Sequence, residues 1–192
     1  PTDFRSGWLW TSNQTQAWVE QWMLADYSGP FGGRASYVSY HPSAADFTQS
    51  GSMNHWITGA DGIGANGTTL AAAFAQAAAT GRPVIYAWYC HDRDNMPALV
   101  SAAQALATTA QASTGVPFRY ATAKEAMQAV MGTTDTTPPT LAVSPAGGAN
   151  FSITSSEAVW NNKPYVAARY LAADGLEYVH TAAVSAGTNN WT

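Results

Sequence analysis

The segment that most constrains the fold is Pro83-Val84-Ile85-Tyr86-Ala87-Trp88-Tyr89-Cys90-His91-Asp92, in which seven apolar residues, Val84 to Cys90, lead without a break into a histidine and a carboxylate. An apolar run without polar alternation is the pattern of a strand covered on both faces, as in a parallel sheet. Ligands and catalytic groups of such sheets gather at the carboxyl ends of the strands, and His91 stands at that end. A helix is predicted to follow, capped by Asp94 or Asn95, with Pro97 in its first turn and an alanine-rich body from Leu99 to Ala112.

The same grammar extends through the first 131 residues, where strand and helix patterns alternate. Phe4 to Trp10 reads as a strand end. A helix is expected from about Asn13 to Leu24, with Thr11 and Gln14 spaced as a capping box and Trp18 and Trp22 one turn apart. Asp26 to Tyr40 is irregular, with a strand expected over Ala35 to Tyr40, and Thr68 to Thr80 reads as a helix stopped by Gly81. Val116 to Tyr120 reads as a short strand, and Thr122-Ala-Lys-Glu125 as a capping box opening a helix that ends near Met131. Residues 132–139, rich in threonine and proline, form an extended linker.

Beyond the linker the pattern becomes all-β. Strands are expected at Thr140–Val143, Phe151–Thr154, Glu157–Trp160, Tyr165–Leu171 and Leu176–Thr181, separated by Gly, Pro and Asn turns. Short strands at this spacing point to a sandwich, but residues 140–192 are about half of the roughly 100 that an immunoglobulin-like sandwich needs. The first part is likewise short of the about 250 residues of a closed α/β barrel. With Pro1 at one end and Asn190-Trp191-Thr192 at the other, the chain reads as part of a longer protein.

Composition narrows the partners. Charged residues make up only 10% of the chain and the net charge is −4, so no basic cluster is available to neutralise phosphates, and nucleic acid is not an expected partner. Eight Trp and nine Tyr among many Asn, Ser, Thr and Gly suit a secreted or cell-surface protein and a neutral carbohydrate ligand. Cys90 is the only cysteine, so no intrachain disulfide forms, and no apolar stretch is long enough to span a bilayer. No HExxH, paired CxxC, P-loop or GxSxG pattern is present, and a dinucleotide-binding glycine pattern is not expected either.

The residues that could carry chemistry are few. His91 suits a general acid or base, since an imidazole exchanges protons near neutrality. Asp26, in a loop after a helix, is placed to orient it, and Arg5, at a strand end, to clamp a carboxylate or a developing oxyanion. Trp8, Trp10 and Trp56 offer flat apolar faces for sugar rings. Each has a plainer reading: His91 as a structural hydrogen bonder, Arg5 in an ion pair, Asp26 as a helix terminator, the tryptophans in the core, Asp94 as a helix cap, and His41 and His55 as loop histidines.

The order of these pieces resembles the C-terminal half of a polysaccharide deacetylase with NodB-type homology, over about residues 3 to 131. Phe4-Arg-Ser-Gly-Trp-Leu-Trp10 resembles that family's arginine motif, although Gly7 and Trp8 stand where a proline and a smaller aromatic are usual. The helix from Asn13 with Asp26-Tyr-Ser28 resembles its aspartate motif, and Tyr40-His-Pro-Ser43 a segment of larger members. Val84 to His91 resembles its last motif, a strand ending in His, and Val116 to Met127 the stretch that closes the domain. The resemblance implies a partial (β/α) barrel followed by an immunoglobulin-like β-segment. It implies metal-dependent de-N-acetylation of an N-acetylhexosamine polysaccharide, with His91 protonating the departing amine, Asp26 tuning it and Arg5 holding the catalytic base. It also implies a divalent metal, zinc by preference, whose Asp/His/His ligands and base precede this chain, leaving the chain inactive alone. A non-catalytic carbohydrate-binding protein on the same scaffold is the alternative. A glycoside hydrolase is a further one and would need two carboxylates about 5 to 9.5 Å apart, for which Asp26 and Asp92 are the candidates.

Overall fold

The protein is described from a computed structural model, which describes residues 3–6, 9–29, 37–148, 150–162, 164–172, 175–182, 185–187 and 189–191. The chain divides into two compact units, Pro1–Asp135 and Thr136–Thr192, and the division falls inside the threonine- and proline-rich stretch.

The first unit is mixed α/β. Strands β1 (Asp3–Phe4), β2 (Ala25–Asp26) and β3 (Trp56–Ile57) pair in parallel, in that order. Strands β4 (Ala60–Ile63) and β5 (Ala87–Tyr89) form a second parallel pair. Only Thr58 and Gly59 separate β3 from β4, so one run of chain pairs first with β2 and then with β5. A side chain at Gly59 would place its Cβ 3.0 Å from the Tyr37 ring and 3.1 Å from the Ile85 carbonyl. Gly59→Ala is therefore expected to cost about 1–3 kcal/mol, read as a lower urea midpoint, because the neighbour on one side is backbone and cannot turn away.

Helices α1 (Asn13–Trp22), α2 (Gly67–Thr80), α3 (Met96–Thr114) and α4 (Ala123–Met131) connect or follow these strands. Their ends are set locally. Asn66 caps Thr68 and Thr69 at the start of α2, Asn95 caps Ala98 at the start of α3, and Thr122 and Glu125 close the capping box expected for α4. Gly81, Gly115 and Gly132 end the same helices in left-handed conformation, which costs glycine no Cβ clash. The core joins Leu70 and Phe74 of α2 to Ala107 and Ala110 of α3, with Tyr86, Val116 and Phe118 packed against it.

Three expectations need correction in this unit. Helix α1 is capped by Ser12 on Thr15, not by a Thr11–Gln14 box, because Thr11 Oγ1 is taken at 2.5 Å by the buried Gln16 amide. Helix α3 is capped by Asn95, one of the two residues expected, while Asp94 turns back to His91. The apolar run is not covered on both faces: residues 84–90 are all half-buried, and only Ala87–Tyr89 pair, with β4. Val116–Tyr120, expected as a strand, makes no ladder, and a cleft of about 560 Å³ is lined by residues of both stretches, with Tyr27, Phe74, Trp88 and Phe118 among its walls. Of the strand expected over Ala35 to Tyr40, residues 35 and 36 lie outside the described residues, and Tyr40 makes one antiparallel bridge to Ile57.

The second unit is antiparallel. Strands β6 (Leu141–Gly147), β7 (Asn150–Ser155), β10 (Ser185–Gly187) and β11 (Asn190–Trp191) form a sheet in the order β10-β11-β7-β6. Strands β8 (Tyr165–Ala172) and β9 (Gly175–Ala182) form a hairpin. No strand forms at Glu157–Trp160. The chain makes a tight helical turn at Trp160–Asn162, with Asn161 and Asn162 at positive φ, and the Asn162 carbonyl accepts the indole N–H of the buried Trp191 at 2.7 Å.

Candidate functional site

The parallel strands bring two of the expected residues together. Arg5 follows β1 and His91 follows β5, and both meet at the ring of Tyr89, the last residue of β5. The Arg5 guanidinium carbon lies 4.3 Å from the Tyr89 ring centroid, a cation–π contact. The His91 ring meets the same tyrosine edge-on, with centroids 5.7 Å apart and planes at 85°. The backbone of Tyr89 is held by Gly64, whose N–H donates to its carbonyl at 2.8 Å.

The carboxylate at the His91 ring is Asp94, not Asp26. Asp94 Oδ2 accepts the His91 backbone N–H at 2.7 Å and faces its Nδ1 at 3.3 Å. That backbone N–H, followed by the ring and Arg93, holds the Asp94 carboxyl below its ordinary range. With Nδ1 turned to Asp94, Nε2 is the ring nitrogen not engaged by that carboxylate. The His91 side chain is 38% exposed, so solvent reaches it. An i, i+3 His–Asp pair in a turn was visible in the sequence and was passed over in favour of a helix cap.

Asp26 is fully buried and sits in a different constellation. Its Oδ1 accepts the backbone N–H of Ser28 at 2.7 Å and also the Ser28 hydroxyl, and its Oδ2 accepts the Gln16 amide at 2.5 Å. The Gln16 carbonyl oxygen in turn faces His55 Nε2 at 2.7 Å, and His55 Nδ1 faces Glu20 Oε2 at 2.7 Å. Glu20 also accepts the backbone N–H groups of Asn54 and His55. Burial works against the charge on Glu20, but the His55 ring and these N–H groups hold its carboxyl below the usual range. Being closed on both oxygens, Asp26 is not one of two carboxylates flanking an open cleft.

The tryptophans divide. Trp10 is 65% exposed. Trp56 is half-buried, and one face is covered by the His41 ring, with centroids 3.8 Å apart. Trp8 lies outside the described residues.

The glycine pattern that was not expected is present: Gly62-Ile-Gly64-Ala-Asn-Gly67 joins β4 to α2. A strand–glycine turn–helix is the setting in which such a pattern holds a pyrophosphate on the helix N–H groups. Here those groups are already served, since Asn66 Oδ1 accepts from Thr68 and Thr69. Asp61 adds a negative charge at the same helix end, bonded to the Thr69 and Tyr86 hydroxyls. Burial opposes ionisation of Asp61, but these donors and the Gly62 N–H leave its pKa low, and burial followed by Asp61 pushes the Tyr86 hydroxyl up to about 12. Two of the glycines serve packing: a Cβ at Gly64, which is also at positive φ, would lie 2.9 Å from Leu99 and one at Gly67 would lie 3.2 Å from Leu106, both on α3, whereas one at Gly62 would meet nothing within 4 Å.

Among the described residues, no three His, Cys, Asp or Glu side chains are grouped to hold a metal ion. None of the described helices is long and apolar enough to cross a membrane. Comparison of the chain with family models, with curated proteins and with solved structures finds no match.

Proposed function

We propose that this chain belongs to a polysaccharide deacetylase of the partial-barrel type, acting on the acetamido group of an N-acetylhexosamine polymer. What supports the reading is one observation: Arg5 and His91, at the carboxyl ends of separate parallel strands, meet at Tyr89. In this reading His91 gives a proton from Nε2 to the departing amine, and Asp94 holds the ring by Nδ1. Arg5 supplies fixed positive charge beside it. The metal and the base belong to polypeptide outside the described residues, and the reading places the protein outside the cell. The test is acetate release from an N-acetylglucosamine oligomer by the full-length protein, lost on chelation and on His91→Ala. Activity insensitive to chelator would overturn it.

One observation favours sugar binding without catalysis, namely the exposed indole of Trp10. Under that reading Trp10→Ala weakens binding to a chitin oligomer by about tenfold in titration calorimetry, which corresponds to about 1.4 kcal/mol, and no acetate appears in the wild type. Binding unchanged by Trp10→Ala would remove the support for it.

A further inference from the structure

The buried network around His55 contains one proton more than its groups carry at neutral pH when separate. The donors and acceptors show this. Asp26, as a carboxylate, only accepts, so the Gln16 amide must turn its Nε2 toward it, as it does at 2.5 Å. That orientation leaves the Gln16 carbonyl oxygen facing His55 Nε2 at 2.7 Å, and a carbonyl only accepts, so Nε2 must carry a hydrogen. On the other side of the ring, Glu20 Oε2 faces Nδ1 at 2.7 Å while accepting the backbone N–H groups of Asn54 and His55. Nδ1 must therefore carry a hydrogen too. Both ring nitrogens donate, and the ring is 0% exposed, so water cannot replace either partner.

A proton on Glu20 Oε2 would also close the bond to Nδ1 of a neutral ring, but, against its burial, the His55 ring and the backbone N–H groups that Glu20 accepts hold its carboxyl low and disfavour that state. With Glu20 ionised there is one other way to close every bond. If the Gln16 amide turns over, its Nε2 donates to His55 Nε2 and its oxygen faces Asp26, which must then be protonated. Thr11 Oγ1, 2.5 Å from Gln16 Nε2, serves both arrangements because a hydroxyl donates or accepts. Burial lowers the His55 pKa below its ordinary value, with Glu20 and then Asp26 opposing the shift and His41 adding to it; the hydrogen-bond pattern points the other way and is the stronger guide, because a ring nitrogen without its hydrogen would face a carbonyl or carboxylate oxygen at 2.7 Å. The turned-over state relieves that burial by moving the proton to Asp26. In neither state is the ring neutral while Asp26 is ionised.

We propose that Gln16, His55 and Asp26 form a proton-holding switch, in which folding traps one proton and the orientation of the Gln16 amide decides whether His55 or Asp26 carries it. The facing groups are Glu20 and Gln16 from α1, Asp26 from β2, and His41, whose Nδ1 lies 3.1 Å from the His55 carbonyl. The switch reaches the Arg5 strand end, because the Ser28 hydroxyl donates to Asp26 and accepts the Ser6 backbone N–H at 2.9 Å. Raising the pH until the proton leaves breaks a bond on one side of Gln16 and loosens this joint.

The inference is independent of the reaction proposed above, and its test needs no substrate. Above the ordinary histidine pKa of about 6.5 the unfolded chain has lost this proton and the folded chain keeps it. Folding stability should therefore fall as pH rises above about 6.5, by at most about tenfold in the folding equilibrium constant per pH unit, whereas an imidazole following its burial-lowered pKa alone would make stability rise with pH. Gln16→Met removes the coupler and should flatten that slope by one proton. Nitrogen NMR of the His55 ring and carboxyl carbon NMR of Asp26 in the wild-type chain at pH 7 read the proton directly and need no variant. A doubly protonated ring, or a neutral ring with a protonated Asp26, supports the switch. A neutral His55 beside an ionised Asp26, or a pH slope that Gln16→Met leaves unchanged, overturns it.

Discussion

His91→Ala in the full-length protein is expected to lower kcat for acetate release by about 10²- to 10⁴-fold, the range that a positioned proton donor contributes. KM should stay near the wild-type value, because in this reading the imidazole matters when the C–N bond breaks and not when the sugar binds. Asp94→Asn should do less, about tenfold, since the ring keeps its place against Tyr89 but loses the charge beside Nδ1. Asp26→Asn should leave the His91-dependent limb of the kcat–pH profile in place if Asp94 is the companion carboxylate. Acetate release measured across pH for the three variants separates these roles. An Asp26→Asn profile that loses this limb while Asp94→Asn keeps it would return the tuning role to Asp26.

The second large effect is on stability. Asp26→Ala is expected to destabilise the first unit by about 3–5 kcal/mol, the cost of removing one partner from a buried, hydrogen-bonded charge. Three donors would be left facing a void: the Ser28 N–H, the Ser28 hydroxyl and the Gln16 amide. Asp26→Asn keeps the shape and one accepting oxygen, so its cost should be about 1–3 kcal/mol. Urea unfolding, with hydrogen exchange of the α1 amides as a second probe, measures both. A loss below about 1 kcal/mol for Asp26→Ala would show that the site takes up water and that the network is not sealed.

Most local structure was legible in the sequence. The stop of α2 at Gly81, the α3 cap at Asn95 and the Thr122–Glu125 box of α4 were legible, because a cap bonds within three or four residues of itself. The α1 cap was misplaced because a distant demand intervened: Gln16 is drawn inward by Asp26 and takes Thr11 with it. In the second unit β10 and β11 were missed, since two- and three-residue strands carry no alternation to read.

The candidate site was legible only in its parts. Arg5 and His91 were read as strand-end residues, and the tertiary fold decided that they share Tyr89, a residue counted only as part of an apolar run. The sequence by itself determined where most of the helices lie, that a Thr/Pro-rich stretch separates two differently patterned parts, and that an imidazole follows a strand, because each depends on neighbours along the chain. Only the tertiary structure decided that Asp94 and not Asp26 faces His91, that the glycine turn packs α3 and carries no free anion site, and that His55 is closed between Glu20 and Gln16. Those bonds to His55 join residues 35 and 39 apart in sequence, and no local pattern encodes which polar groups are buried together.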